Sequence, residues 1–353
     1  MSVSINGTNG LTFNDATTQT TSAFTGGLAF RNRIINGAMV IDQRNAGASV
    51  TANDSVFPVD RFSFVMSQAS KGTGQRSTVA SANFVNSLLF TSSSAYAVGS
   101  GETFNITQKI EGFNVADLGW GTASAQTVTL SFWVRSSLTG TFGGSFRNGA
   151  ANRSYPFSYT ISAANTWEQK AVVVAGDTSG TWATDNSIGV QIYFGLGVGS
   201  TLSGTAGAWA ATSYTSATGA VSVVGTAGAT FYITGVQLEK GSTATSFDYR
   251  DYGRELIMCQ RYFYKAGPIN LSTQAFSTTE ILVNVTPPPM RSTPTLSLST
   301  VCAVNSPVAT FTQSSASLDY FYNTVHLTTF TPNLTTGLSY AWTSGTINFS
   351  AEL

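Results

Sequence analysis

Along Thr127–Arg135 apolar and polar side chains alternate one for one: Val128, Leu130, Phe132 and Val134 against Thr129, Ser131, Trp133 and Arg135. A side-chain period of two belongs to a strand with one buried and one solvated face; a helix cannot keep that register. The same period recurs at Phe62, Phe64 and Met66, at Phe104 and Ile106, at Val172 and Val174, at Val190, Ile192 and Phe194, and at Phe231 and Ile233. The runs are short and bounded by Gly, Asn and Ser, the pattern of half-buried antiparallel strands. Roughly eight to ten of them over residues 31–250 predict a two-sheet sandwich, most simply a jelly roll.

Composition agrees with this class. Charged residues are only 10% of the 353, while hydrophobic residues reach 42% and glycines number 34. Disorder needs the opposite balance. Seventeen basic and seventeen acidic side chains leave no net charge, and nucleic-acid binding requires clustered cations, so no nucleic-acid partner is expected. A weakly charged surface favours association, and an obligate oligomer is expected. The first residues, Met1-Ser2-Val3-Ser4-Ile5-Asn6, lack the basic and apolar regions of a signal peptide. No stretch approaches the ~20 apolar residues of a membrane span. Synthesis in a cytoplasm without Sec export, and no membrane insertion, are expected.

Outside the sandwich the pattern changes. Residues 1–30 carry only isolated apolar side chains, among them Ile5, Leu11 and Phe13. Too sparse to bury a core, they read as an extended segment that orders by pairing with copies of itself or with another protein. Residues 251–264 hold helix formers with Leu256, Cys259 and Phe263 near one face, predicting one short linking helix. Residues 265–353 turn to Ser, Thr and Pro, with Pro287-Pro288-Pro289 at an edge or connection. They read as a smaller C-terminal β domain. The fold class is therefore all-β, a jelly-roll-like sandwich plus this smaller domain, joined by the helix and preceded by the extended segment.

Motifs for catalysis are sparse. The lone histidine, His326, sits in alternating Val, Leu and Thr with only Asp319 nearby, and reads as a strand residue. Cys259 and Cys302 stand outside any CxxC pairing and read as buried thiols. Glu102, Glu111, Glu168, Asp177 and Asp185 could supply a carboxylate pair for glycoside hydrolysis, although turn and surface roles suit them better. Asp177 and Asp185 could also offer oxygens to Ca²⁺, against plain Asx-turn chemistry. No catalytic residue, cofactor or metal is assigned. Aromatics say more. Trp133 falls on the polar face of its strand, and Trp182 and Trp209 lie in Gly- and Thr-rich segments. Each could stack on a sugar, anchor an oligomer interface, or pack in the core.

Several blocks resemble a family of phage tail-fibre and related virion structural proteins, typical of phages of aquatic bacteria. They are Asn32-Arg33-Ile34-Ile35-Asn36-Gly37-Ala38-Met39-Val40-Ile41-Asp42-Gln43-Arg44-Asn45, Val59-Asp60-Arg61-Phe62, Gln108-Lys109-Ile110-Glu111-Gly112 and Ser131-Phe132-Trp133-Val134-Arg135. The most specific runs from Phe231 to Gly241, through Ser246-Phe247-Asp248-Tyr249-Arg250, to Cys259-Gln260-Arg261-Tyr262. Similar proteins often have Pro where this chain has Asp251. Pro287–Arg291 and Ala351-Glu352-Leu353 match more loosely. The resemblance implies a jelly-roll, carbohydrate-binding-module-like body in a homotrimeric appendage, and no catalytic residue. Ile5, Leu11 and Phe13 would then join the virion through other tail or baseplate proteins. Where the composition changes and the resemblance fades, residues 265–353 are expected to contact a host-cell glycan or protein, with Tyr320, Tyr322 and Trp342 as candidates that core packing suits better; the alternative contacts are Trp133, Trp182 and Trp209. Alternatives are a purely structural baseplate, head-fibre or capsid-decoration protein, and a polysaccharide depolymerase tailspike.

Overall fold

The computed structural model describes residues 31–267 without interruption. Before and after them it describes 4–6, 10–12, 18–19, 272–275, 277–298, 302–305, 310–319, 324–331, 333–334, 336 and 339–353, several of these by backbone alone. At the N-terminal end, β1 (Ser4–Asn6), β2 (Gly10–Thr12) and β3 (Thr18–Gln19) pair as an antiparallel meander that sets Ile5 opposite Leu11. Phe13 lies outside the described residues.

The body is an antiparallel sandwich. In chain order its strands are β4 (Val50–Thr51), β5 (Ser63–Met66), β6 (Gly72–Ser77), β7 (Ser87–Ser92), β8 (Thr103–Glu111), β9 (Val128–Ser136), β10 (Gly140–Asn148), β11 (Ser154–Ile161), β12 (Glu168–Val174) and β13 (Ile188–Val198). After two short parallel strands, β14 (Ser203–Gly204) and β15 (Ser216–Ala217), the long β16 (Thr230–Lys240) completes it. One sheet runs β11-β10-β13-β8-β5, the other β12-β9-β16-β7-β6-β4. The all-β, jelly-roll-like sandwich expected from the alternation is what the chain forms.

Between the sheets lies the apolar half of each alternating run. Phe104, Ile106, Phe146, Phe157, Ile192 and Phe194 face Leu88, Phe90, Leu130, Phe132, Val134 and Ile233, all at most 2% exposed. Phe132 is the centre, edge-on to Phe194 at 5.1 Å and to Tyr159 at 5.0 Å. Edge-to-face geometry places the positive ring edge on the negative face of its neighbour, adding about 0.5–1.5 kcal/mol per pair to simple burial.

Residues 31–62 hold little regular structure and are held by side-chain hydrogen bonds instead. Asn32 Oδ1 accepts from Ile34 and Leu238 N–H, and Gln108 both accepts from and donates to the Ile35 backbone. Asn36, at φ 60°, closes a turn through Ile41 and Asp60. A Cβ at Gly37 would lie 2.1 Å from the Val236 carbonyl oxygen, so only glycine fits there.

Helix α1 (Tyr252–Gln260) starts where Asp251 accepts from Arg254 N–H, a conventional N-cap. It packs Cys259, with Tyr262, against Ile35 and Ile41. Burial pushes the Cys259 thiol well up, reinforced by Asp60 and Glu255, so it stays protonated. The chain is extended again at β17 (Phe263–Ala266), and then come β18 (Ser272–Gln274), β19 (Glu280–Asn284), β20 (Thr295–Leu298), β21 (Cys302–Asn305), β22 (Thr310–Asp319), β23 (Thr324–Thr331), β24 (Ser339–Ser344) and β25 (Ile347–Ser350). They form a three-stranded sheet β17-β25-β20 and a six-stranded sheet β18-β24-β21-β22-β23-β19 around a core that includes Ile281, Val304, Tyr340, Trp342 and Phe349.

Entry and exit of this C-terminal region are adjacent, because β17 pairs with β25. The last residues return to the sandwich: Ala351 N–H donates to Tyr262 O, and Glu352 pairs with Arg44 and Arg61. Arg44 also pairs with Asp60, whose carboxyl is raised by burial against the opposing pull of Arg44 and Gln43.

Candidate functional site

On the outer face of the sandwich's six-stranded sheet, Ser131 and Trp133 of β9 point away from the core. Trp133 stands opposite Gln169 of β12 on one side and Thr234 of β16 on the other. Immediately beyond Thr234 the β16 register slips, with Gly235 at φ +59°. This bulge opens a depression beside Trp133, and the Phe84 ring fills the space a Cβ at Gly235 would need, 2.5 Å away. The result is a groove of about 360 Å³ with Trp133, Ser131 and Gly235 as floor and Gln169 on one rim.

Two loops raise its wall. Phe84 from one meets Phe247 and Tyr249 from the other, with ring centres 5.1 and 5.6 Å away, and Phe247 lies 4.8 Å from Tyr249. The second loop is anchored by β16. Glu239 accepts from Thr245 N–H and its hydroxyl at 2.8 and 2.7 Å, and Gln237 accepts from Asp248 N–H at 2.8 Å. The Tyr249 hydroxyl donates to the Asn83 carbonyl. Partial burial raises that phenol above its ordinary pKa, so it remains a neutral donor. Aromatic rings beside amides and hydroxyls, with no charged side chain in the lining, suit a ligand that is apolar on one face and hydroxylated at its edges.

The other aromatics named from sequence are placed differently. Trp182 and Trp209 join Trp120 in a cluster with ring centres 4.8, 5.3 and 5.4 Å apart. Their indole N–H groups donate to the carbonyls of Ser179, Ala175 and Gln126 respectively. Trp182 is 8% exposed and Trp209 packs partly buried against the same core. Of the roles open to Trp182, the structure shows core packing: the indoles of Trp120 and Trp209 pack against it. Trp342 also packs in a core, fully buried in the C-terminal region. Tyr320 and Tyr322 lie outside the described residues, as does the side chain of His326, whose backbone pairs with Leu282 and Ser317. Cys302 is described by backbone alone, in β21.

The acids are each committed elsewhere. Asp177, a candidate Ca²⁺ ligand, is 2% exposed and takes a two-pronged ion pair from Arg153 at 2.7 and 2.6 Å. Asp185 accepts from the Ser187 hydroxyl and N–H, which lower its pKa. Among the described residues no three His, Cys, Asp or Glu side chains gather as metal ligands. Glu111 takes both prongs of Arg261 at 2.9 Å; burial alone would raise its pKa, but Arg261, the Tyr262 hydroxyl and the Arg291 charge together lower it. Lys170 beside Glu168 holds that carboxyl low, as the Gly99 N–H does for Glu102.

Sequence reading missed Phe84, Phe247, Tyr249, Gln169 and the bulge. One signal was present: a glycine inside a strand pattern, at Gly235, marks a bulge or a close approach. No local pattern announces that residues 83–84 and 245–249 meet.

No protein-family model matches the chain, and no curated protein matches it. Among solved structures, a tailspike protein 4 domain of bacteriophage CBA120 is similar at 14% identity and a TM-score of 0.33, covering 60% of this chain and 22% of that one. A family 4 carbohydrate-binding module aligns at 14% identity and TM-score 0.30, over 58% of this chain and 98% of the other. A family 11 carbohydrate-binding module from Clostridium thermocellum aligns at 11% identity and TM-score 0.28, over 57% and 100%.

Proposed function

We propose that this chain is a non-catalytic structural protein of a bacteriophage virion, a homotrimeric tail fibre that holds the host cell by binding surface glycan in the Trp133 groove. The observation that carries this reading is the groove itself. An indole floor and an aromatic wall stand beside Gln169, Ser131 and Thr245, so a pyranose could lay its C–H face on the ring while its hydroxyls meet amide and hydroxyl partners. Neither a carboxylate nor an imidazole lines the groove, which supports retention of a glycan over its hydrolysis. The virion assignment is supported by the motif blocks from Asn32 to Tyr262. Ten per cent charge supports assembly into an oligomer.

The test is adsorption of purified protein to host cells, with competition by glycan released from their envelope. Trp133→Ala should weaken retention roughly thirtyfold, the effect of losing a central aromatic contact, while leaving the fold intact. Undiminished adsorption would remove the groove from the function. Sedimentation should show one trimeric species, and a monomer at micromolar concentration would contradict the fibre assignment.

A further inference from the structure

Arg135 follows Trp133 on the same face of β9, about 7 Å further along at the usual rise per residue. It stands opposite Tyr232 of β16, with its guanidinium carbon 5.1 Å from the centre of that ring. Trp167, one residue before β12, completes the row, its ring 6.1 Å from Tyr232 at 68°. Arg135 Nε donates to the Asn165 carbonyl at 2.9 Å, which orients the guanidinium. Among the described residues no carboxylate lies within ion-pair distance of Arg135. Glu168 of the neighbouring strand pairs with core-facing Val134, so it lies on the other face of the sheet, where Lys170 and the N–H groups of Ser162 and Ala163 hold it. Two aromatic platforms thus lie in succession on one sheet face. The first has no charge, and the second carries a cation held over a tyrosine.

We propose that the Trp133 groove continues into a second, anion-binding subsite formed by Arg135, Trp167 and Tyr232, and that the ligand is an acidic glycan. An uncharged sugar rests on Trp133, and its neighbour in the chain presents a carboxylate or sulfate to the Arg135 fork. This rests on the reading of the groove as a glycan site and adds the ligand's charge. A partly buried guanidinium without a carboxylate partner gains from an anion, and its planar fork fits two oxygens at once. Stacking on Tyr232, itself packed edge-on by Trp167, and the hydrogen bond to Asn165 hold the fork in place beforehand, so less freedom is lost on binding.

The experiment uses the full chain and polymers of known charge. Alginate, polygalacturonate and hyaluronan carry carboxylates, carrageenan carries sulfates, and dextran, laminarin and galactomannan carry neither. At low salt the protein should bind at least one acidic polymer about tenfold more tightly than any neutral one, a preference that shrinks as salt is raised. Preference among the acidic polymers then assigns carboxylate or sulfate. Arg135→Gln should erase the preference and leave residual binding equal to that for neutral polymers; Arg135→Lys should retain part of it. An unchanged melting temperature in both variants shows that the fold is intact. A preference that survives Arg135→Gln, equal or better binding of neutral polymers, or no binding of any acidic polymer would overturn the subsite. If Trp133→Ala leaves binding intact while Arg135→Gln removes it, the groove reading fails and the subsite stands; the reverse result fails the subsite and keeps the groove.

Discussion

Single side chains show why several residues that look functional in a sequence are structural here. Glu111 is 1% exposed and could pass for a catalytic acid, yet both oxygens are held by Arg261. Its pKa falls below the ordinary 4.5 although burial pushes it up, because the hydrogen bonds and charge of Arg261, with the Tyr262 hydroxyl and the Arg291 charge, together outweigh burial. A carboxyl lowered on folding contributes stability that is present above its unfolded pKa and lost as pH falls through the folded value. Glu111→Gln should therefore melt lower than the parent at pH 7, by about 2 kcal/mol. The two melting curves should converge as pH drops below 4.5, and a gap that persists undiminished in acid would show that the pair does not act through charge.

At the scale of elements, one irregular strand creates the groove. β16 runs in register with β9 from Phe231 to Thr234 and again from Gln237 to Lys240, and the slip between them turns Gly235 to φ +59°. That leaves room for Phe84, which in turn seats Phe247 and Tyr249. Gly235→Ala should cost about 1–3 kcal/mol, since its Cβ would strain the backbone and meet the Phe84 ring. It should also spread the aromatic wall, so glycan retention falls more than stability alone explains. Thermal melting beside an adsorption assay separates the two, and full retention with a lowered melting temperature would show that the wall is dispensable.

Across the whole molecule, the C-terminal region is attached twice. β17 leads out and β25 leads back as paired strands, and Glu352 ends between Arg44 and Arg61, the latter 3% exposed. Lys109 donates to the Leu353 oxygen at 2.5 Å, and Arg291 donates to the Ala351 and Asn186 carbonyls. Two adjacent attachments resist rotation in a way that a single linker cannot. Glu352→Ala would strand a buried guanidinium at a cost of about 3 kcal/mol. Limited proteolysis should then cut first between the sandwich and residues 267–353, and calorimetry should split one transition into two. A single unshifted transition would show that the strand pair alone fixes the junction.

The sequence by itself determined the class of fold, because a side-chain period of two is a local property: in Thr127–Arg135 each residue's face follows from its parity. It also marked Trp133 as facing away from the core, for the same reason. The resemblance blocks were legible as blocks, but not their shared purpose. Only the folded chain shows that Asn32, Asn36, Asp60, Arg61, Gln108, Glu111, Gln237, Glu239 and Arg261 bond the irregular segments to the sandwich. The fate of the other tryptophans was likewise undecided until tertiary contacts formed. A loop tryptophan is buried or exposed according to what arrives from elsewhere in the chain, and Trp182 is covered by Trp120 and Trp209. Parity along a strand is set by bonds between neighbours, whereas a groove is set by residues 83–84, 131–133 and 245–249 meeting across the sheet. Nothing short of packing the whole sandwich brings those three together.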